Sequence, residues 1–455
     1  MTGGLLLFED SPRGSWTAGC RFGGLTTLER GILTMARAGV DRLLVAVPAG
    51  LSAPGRRVRR LDIDLEIADW GDSPRTTFGP SEEVLILLGD HVHHHSSLTA
   101  LVESGASGDG LVVQVSPAPG QEGLSFLPPG VAAGGGDPGL VSTGALLCDG
   151  SLQPHQLVGR GGPALEFLRG RAAGRGVRTT EGDPSLWRRV EDRRGARQAK
   201  AMLFGQVTKK TSGPVSRHIN ARLSIPISKV LVETGLSPHL VTVLLVLTTG
   251  LAAAWLISDP EPYWRLALAG FLWQMAAVLD RCDGEIARVK LCESRFGAWF
   301  DTVTDNLAYV AAYAAFLKAA HGLHPGQPLY LYAGLSAVAA MFLSLGIMYH
   351  YALRTGSGSL QNYIVGFARH VPREEKGALY RALERYAFLS KRDSFAFVHF
   401  VFALLGAFDL IYLFTVGGLH LFAIGVLLSR GKMLAAHRRR SDAAAEGPPP
   451  EVGGR

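Results

Sequence analysis

The chain has 455 residues, 47% hydrophobic and 19% charged, with 46 Lys and Arg against 39 Asp and Glu for a net charge of +7. A mean hydropathy of +0.17 is too apolar for an ordinary soluble protein and too polar for a bare membrane bundle, so the average spans unlike parts. Disordered and fibrous classes are excluded, because the 56 Gly and 24 Pro follow no period and too few residues are charged.

Four cysteines, Cys20, Cys148, Cys282 and Cys292, are too dispersed for a disulfide scaffold or a CxxC zinc site, and read as free thiols in a reducing compartment. The N-terminal stretch MTGGLLLFEDSPRG has no basic region, so no secretory signal is read there and membrane insertion falls to internal segments.

Residues 1–200 alternate short apolar runs with helical patterns: a helix over 27–39, a strand over 42–47, a strand over 84–89 and a helix over 96–103. Such alternation predicts a soluble α/β domain with a parallel sheet. The Gly- and Pro-rich stretch 105–138 reads as loop. His91, His93, His94 and His95 lack a second ligand group and read as a solvated turn.

Near Trp187 the pattern changes. Residues 187–210 and 216–232 form basic amphipathic helix candidates suited to a membrane interface, and the linker is placed at 201–236. Six runs of spanning character follow, at 239–258, 263–280, 297–319, 328–352, 395–414 and 417–430, within a domain placed at 237–432. Cations gather in alternate loops: Arg281, Arg288, Lys290 and Arg295 after the second run, seven Lys and Arg from Arg369 to Arg392 after the fourth, and Arg438 to Arg440 after the sixth. The positive-inside rule then puts both termini and these loops in the cytoplasm of an integral cell (inner) membrane protein. The basic excess is thereby accounted for as topology, and no nucleic acid is expected. Residues 433–455 read as a disordered cytoplasmic tail.

The chemistry sits in DRCDGEIARVKLCESRFGAWFDTVTD, residues 280–305. Spacings of three and four put Asp280 and Asp283 on one helix face and Asp301 and Asp305 on another, and a turn at 284–296 would bring the pairs together. Four carboxylates at a bilayer margin are costly unless they serve a function. An all-oxygen cluster suits a hard cation such as Mg²⁺ or Mn²⁺, and a pair of ions can stabilise both oxygens of a displacement. Gly284 and Gly297 open the backbone to a ligand, and Arg288 offers a bidentate fork for phosphate.

The pattern D-x2-D-G-x2-A-R-x8-G-x3-D-x3-D, met by Asp280, Asp283, Gly284, Ala287, Arg288, Gly297, Asp301 and Asp305, resembles the signature of the CDP-alcohol phosphotransferases (phosphatidyltransferases). The resemblance implies transfer of a substituted phosphate from a CDP-alcohol to a hydroxyl acceptor with release of CMP. It also implies two metal ions held by Asp280, Asp283, Asp301 and Asp305, Asp305 as general base, and a membrane homodimer. Thr242, Asp280, Asp283, Gly284, Ala287, Arg288, Gly297 and Asp301 would bind CDP. The run Ser237 to Thr242 is similar to the family's TPNxxT segment but has His239 in place of Asn. Lys391 and Arg392 are candidates for an acceptor phosphate or plain membrane anchors.

Residues 24–47 and Leu88-Gly89-Asp90-His91 resemble sugar-phosphate nucleotidyltransferases, whose GxGxR loop and downstream Lys grip a triphosphate. Here that stretch has no GxG and no Lys, and carries Glu9 and Asp10, which implies an inactive cytidylyltransferase-like domain. The fold class expected is thus an α/β nucleotidyltransferase-like N-terminal domain fused to an all-α six-helix transmembrane domain. The domain order resembles that of the bifunctional inositol-1-phosphate cytidylyltransferases / di-myo-inositol-phosphate-phosphate synthases and suggests an inositol or polyol phosphate substrate. Two alternatives stay open: a phosphatidyltransferase using CDP-diacylglycerol, and a membrane scaffold whose inactive domain recruits a partner.

Overall fold

The computed structural model describes residues 2–51, 54–106, 110–117, 140–160, 164–171, 177–208, 213–355 and 392–445. The chain forms two compact units: Met1–Val207 with Val232–Gly235 and Arg288–Leu291, and Thr208–Leu231 with Leu236–Ala287 and Cys292–Arg455.

The first unit is built on a seven-stranded sheet. Its strands are β1 (Thr2–Leu7), β2 (Val40–Val47), β3 (Asp64–Asp69), β4 (Glu83–Leu88), β5 (Leu111–Pro117), β6 (Leu140–Asp149) and β7 (Val177–Glu181), in the order β7-β5-β6-β4-β1-β2-β3. All neighbours are parallel except β6, which runs antiparallel to both β4 and β5. The central strands are nearly continuous apolar runs because both faces are covered. Leu6, Val45 and Leu87 point into one core with Ile32 and Met35 of helix α2 (Thr27–Arg37) and Leu98 of α3 (His95–Glu103). Leu5, Leu44 and Ile86 point into the other, covered by Leu157 and Leu168 from the short helices Gln156–Arg160 and Ala164–Arg171. Each such Leu contributes roughly 1.5–3 kcal/mol by leaving water. Thr26 and Glu29 close a capping box on α2, which fixes where that helix begins.

β5 lies inside the stretch 105–138 expected as loop. Its run Leu-Val-Val-Gln-Val is short and buried on both faces, so the flanking Gly and Pro outweigh it in composition. The expected helix over 187–210 begins only at α4 (Arg193–Gly205), because Trp187–Arg189 pairs as an antiparallel strand with His91–His93. The same pairing corrects the solvated histidine turn: His91 and His93 are buried and stack on Trp187, and His93 Nε2 donates to the Thr143 carbonyl at 2.8 Å. Gly144 makes room for this, with φ +78° and the position of a Cβ only 2.4 Å from the His91 ring.

The second unit is helical. A π-helical turn Ser216–Asn220 leads into α5 (Ala221–Leu231), followed by α6 (Pro238–Ile257), α7 (Tyr263–Val289), α8 (Arg295–Leu323), α9 (Pro328–Thr355), α10 (Arg392–Leu404) and α11 (Phe408–Ala445). Among the described residues, three helices are long and apolar enough to cross a membrane, at Pro238–Ile257, Pro328–Tyr351 and Phe408–Ser429. α7 and α8, at 27 and 29 residues, exceed the length needed to span but carry the acidic motif.

The expected fifth span, 395–414, is not one helix. The chain breaks between α10 and α11 at Gly406, whose φ of +69° ends the helix in the left-handed region, so the last apolar span begins at Phe408 instead of 417. α11 runs on through Ala445, past the point at 433 where an irregular tail was expected; residues 446–455 lie outside the described set. The helices meet through small residues such as Ala269, Ala312, Ala319 and Ala403, while Trp255, Tyr263, Trp264 and Tyr332 are exposed, as lipid-facing aromatics near helix ends are.

Candidate active site

The acidic motif folds as its spacing requires. Asp280 and Asp283 lie on α7, and Ser294 caps α8 by accepting from the Gly297 amide at 3.0 Å, which sets Asp301 and Asp305 one and two turns further along. One oxygen each from Asp280, Asp301 and Asp305 lie within 4.8 Å of one another. This is the group of three His, Cys, Asp or Glu side chains found at metal-holding distances among the described residues. The donor set is all oxygen, which fits a hard divalent cation.

Asp283 is turned elsewhere: its Oδ2 accepts from Thr242 Oγ1 at 2.5 Å, both side chains being buried. Arg392, at the start of α10, enters the cluster, its Nη1 lying 2.6 Å from Asp280 Oδ1 and 2.6 Å from each oxygen of Asp305. Its guanidinium also stands over the Tyr309 ring at 5.9 Å. A cavity lined by Val246, Trp273, Ala277 and Tyr309 reaches Asp305 and Arg392. Lys391, the other candidate for an acceptor phosphate, lies outside the described residues.

Gly297 is a point of close approach, where a Cβ would stand 3.1 Å from His239 Cε1. The His239 ring sits edge-on to Phe296 and Phe300, at 5.6 and 5.4 Å, so the residue that departs from the family pattern packs against the start of α8. Gly284 and Ala287 follow Asp283 on α7, and Arg288 falls in its last turn.

Two supports were not read from the sequence. Glu285 is fully buried and accepts from Ser224 Oγ at 2.8 Å, Ser228 Oγ at 2.7 Å and Arg281 Nη2 at 3.1 Å, and Arg281 also reaches Ser216. This ties α5 to α7 between and beyond the two aspartates. At the other edge, Asn220 donates to Asp393 at 2.6 Å and accepts from Gln274 at 2.7 Å, which fixes the residue next to Arg392. The signal for the first was present, since Ser224 and Ser228, like Arg281 and Glu285, are four apart on a helix. Both supports draw on the π-helical turn Ser216–Asn220, and Thr242, which bonds Asp283, opens a second such turn, Thr242–Leu247, a form that recurs at functional sites.

In the first unit, both oxygens of Asp90 are taken, by His91 Nδ1 at 2.7 Å and Arg189 Nε at 2.7 Å. Burial pushes this carboxyl up, but the His91 and Arg189 charges and hydrogen bonds outweigh it and hold Asp90 well below the usual carboxylate range. Glu9 and Asp10 are exposed just after β1, and Ser11 caps the helix that follows, α1 (Pro12–Gly19). Arg30, fully buried, donates to the carbonyls of Phe22, Gly23 and Val289. Burial lowers its pKa to about 10, with Glu233 and Glu29 pulling it back up.

Residues 236–427 match the family model for CDP-alcohol phosphatidyltransferase. The chain is 30% identical over 346 residues to a bifunctional IPC transferase and DIPP synthase of Rubrobacter xylanophilus, covering 71% of this chain and 76% of the relative. It is 29% identical over 106 residues to a phosphatidylinositol phosphate synthase of Mycobacteroides abscessus, covering 23% of this chain and 46% of that one. Among solved structures, the 2-C-methyl-D-erythritol 4-phosphate cytidylyltransferase of Thermus thermophilus is similar at 18% identity and a TM-score of 0.32, over 44% of this chain and 98% of that chain. With the motif, the helices that carry it and a relative matched over three quarters of its length, the chain belongs to the CDP-alcohol phosphatidyltransferase family.

Proposed function

We propose that this chain is a six-span integral membrane CDP-alcohol phosphotransferase with its active site and both termini in the cytoplasm. The acceptor hydroxyl oxygen attacks the phosphorus that bears the alcohol, the phosphoanhydride bond to CMP breaks, CMP departs, and the acceptor proton passes to Asp305. The observation that carries this reading is the convergence of Asp280, Asp301 and Asp305 within 4.8 Å, beside a buried Asp283. Two Mg²⁺ or Mn²⁺ ions bound there would neutralise the diphosphate and stabilise the attacking and leaving oxygens.

Asp280, Asp301 and Asp305 would hold the ions, and Asp283, oriented by Thr242, would complete the set. A carboxylate is a weak base, so Asp305 acts by position at the reacting hydroxyl. Gly284, Ala287 and Gly297 leave space for the cytidine diphosphate, and Arg288 supplies a fork for its phosphates. Arg392, beside Asp305, would meet an acceptor phosphate. The sorting of cations to alternate loops supports the orientation.

The substrate we favour is an inositol or polyol phosphate, following the bifunctional relative. The N-terminal domain keeps its sheet without cytidylyl transfer, because Asp90 is already paired with Arg189 and His91. Likeness to the phosphatidylinositol phosphate synthase favours a second reading, in which the donor is CDP-diacylglycerol. Radiolabelled CMP release in proteoliposomes with Mg²⁺, using CDP-inositol in one arm and CDP-diacylglycerol in the other, separates the two. Asp305→Ala should lower release by about 10²–10⁴-fold, the usual contribution of a general base; native release from this variant with every donor would overturn the reading. The full-length protein, given CTP and inositol 1-phosphate, should release no pyrophosphate.

A further inference from the structure

Arg392 Nη1 stands where a cation would stand. It is 2.6 Å from Asp280 Oδ1 and 2.6 Å from both oxygens of Asp305, two of the three carboxylates that present oxygens within 4.8 Å. Divalent ions take carboxylate oxygens at about 2.0–2.6 Å. An ion bridging these same oxygens would stand where Nη1 stands, so the guanidinium and the ion cannot occupy that point together.

The two ends of Arg392 are constrained differently. Its backbone opens α10, and the next residue, Asp393, is bonded to Asn220, itself bonded to Gln274. The guanidinium lies at the end of a long, rotatable side chain. Displacement therefore needs side-chain rotation and leaves the helix in place.

Resting on the reading of the carboxylates as a divalent-metal site, we propose that Arg392 is a displaceable counter-ion. It offsets one of the two negative charges of Asp280 and Asp305 until a metal ion loads, then leaves those oxygens and turns its fork to an anionic group of the acceptor. Metal loading and acceptor recognition are in this way one exchange.

The test uses full-length protein in nanodiscs with Mn²⁺ as the probe. Free Mn²⁺ is measured by electron paramagnetic resonance, and modification of Arg392 by phenylglyoxal is read by mass spectrometry of its peptide. Mn²⁺ should raise Arg392 labelling severalfold in the wild type, with the same midpoint as Mn²⁺ binding. Arg392→Gln should bind Mn²⁺ about ten- to a hundredfold more tightly, the scale of one charge-assisted hydrogen bond. Arg392→Lys, which keeps a cation on the same helix and controls for misfolding, should stay within about threefold of wild type on the same scale. Unchanged labelling at saturating Mn²⁺ would overturn the proposal even if Arg392→Gln bound more tightly, since simple charge repulsion would then account for the affinity. Equal or weaker binding by Arg392→Gln would also overturn it. Absence of Mn²⁺ binding in wild type and variant alike would refute the metal site itself, and the exchange with it.

Discussion

Arg281 and Glu285 face each other inside the helical unit at 3.1 Å, with Glu285 fully buried and the Arg281 side chain 11% exposed. At an effective dielectric of 20, unit charges at that distance attract by about 5 kcal/mol, which offsets the cost of taking both out of water. Arg281→Gln removes the cation and leaves a buried carboxylate supported only by Ser224 and Ser228. Breaking a buried pair in this way costs about 3–5 kcal/mol. In a unit of this size that lowers Tm by roughly 6–20 °C, at about 2–4 °C per kcal/mol.

The paired variant Arg281→Gln with Glu285→Gln should recover most of the loss, because two neutral amides can still bond the serines and each other. The expected coupling is roughly 2–4 kcal/mol. Thermal unfolding of the four proteins of the cycle in detergent micelles measures it. A double variant as unstable as the sum of the singles would refute the account of Glu285 as a charge-compensated tie between α5 and α7.

Gly297→Ala should lower transfer severalfold, since its methyl lies 3.1 Å from His239 Cε1, and His239→Ala in the same chain should recover part of it; steady-state CMP release decides, and no recovery would mean the methyl obstructs something other than His239. Burial lowers the His93 pKa from 6.5 to about 3, with the His91 charge adding to the shift and the Thr143 carbonyl opposing it. The unfolded chain therefore takes up a proton below pH 6.5 that the folded chain refuses until about pH 3, so stability present above pH 6.5 is lost as the pH falls through that window, at up to about 1.4 kcal/mol per pH unit. Hydrogen exchange of the β5 amides in full-length protein should show this loss, and His93→Gln, which can still donate to Thr143, should flatten it; an unchanged slope in the variant would show that His93 does not titrate across the transition.

What could be read in advance follows the range of the interactions. The Asp motif was legible because its spacing is a property of one helix hairpin, and Asp280, Asp301 and Asp305 converge as three- and four-residue intervals require. The strands expected over 42–47 and 84–89, found at 40–47 and 83–88, were legible from the apolar runs Leu43–Val47 and Val84–Leu88. β5 was hidden by its Gly- and Pro-rich surroundings, and the burial of His91 and His93 depends on Trp187, nearly a hundred positions away. Arg392 was picked out for its charge at a membrane margin, but its partners, Asp280 and Asp305, were not expected. No local pattern links residues so far apart, and only the packing of α10 against α7 and α8 brings them together.

The π-helical turns Ser216–Asn220 and Thr242–Leu247 set phase as well as position. Each accommodates one residue beyond what an α-helix would, and deleting a single residue would return the ladder to α geometry and rotate everything before it by about 100°. Ser216 and Asn220 would then swing away from Arg281 and Asp393, and Thr242 from Asp283, though every side chain involved remained in the chain. Insertions and deletions in these two stretches should therefore be tolerated far less than substitutions. Alignments of related chains should keep strict length here while varying freely in residue type at the exposed position Leu244.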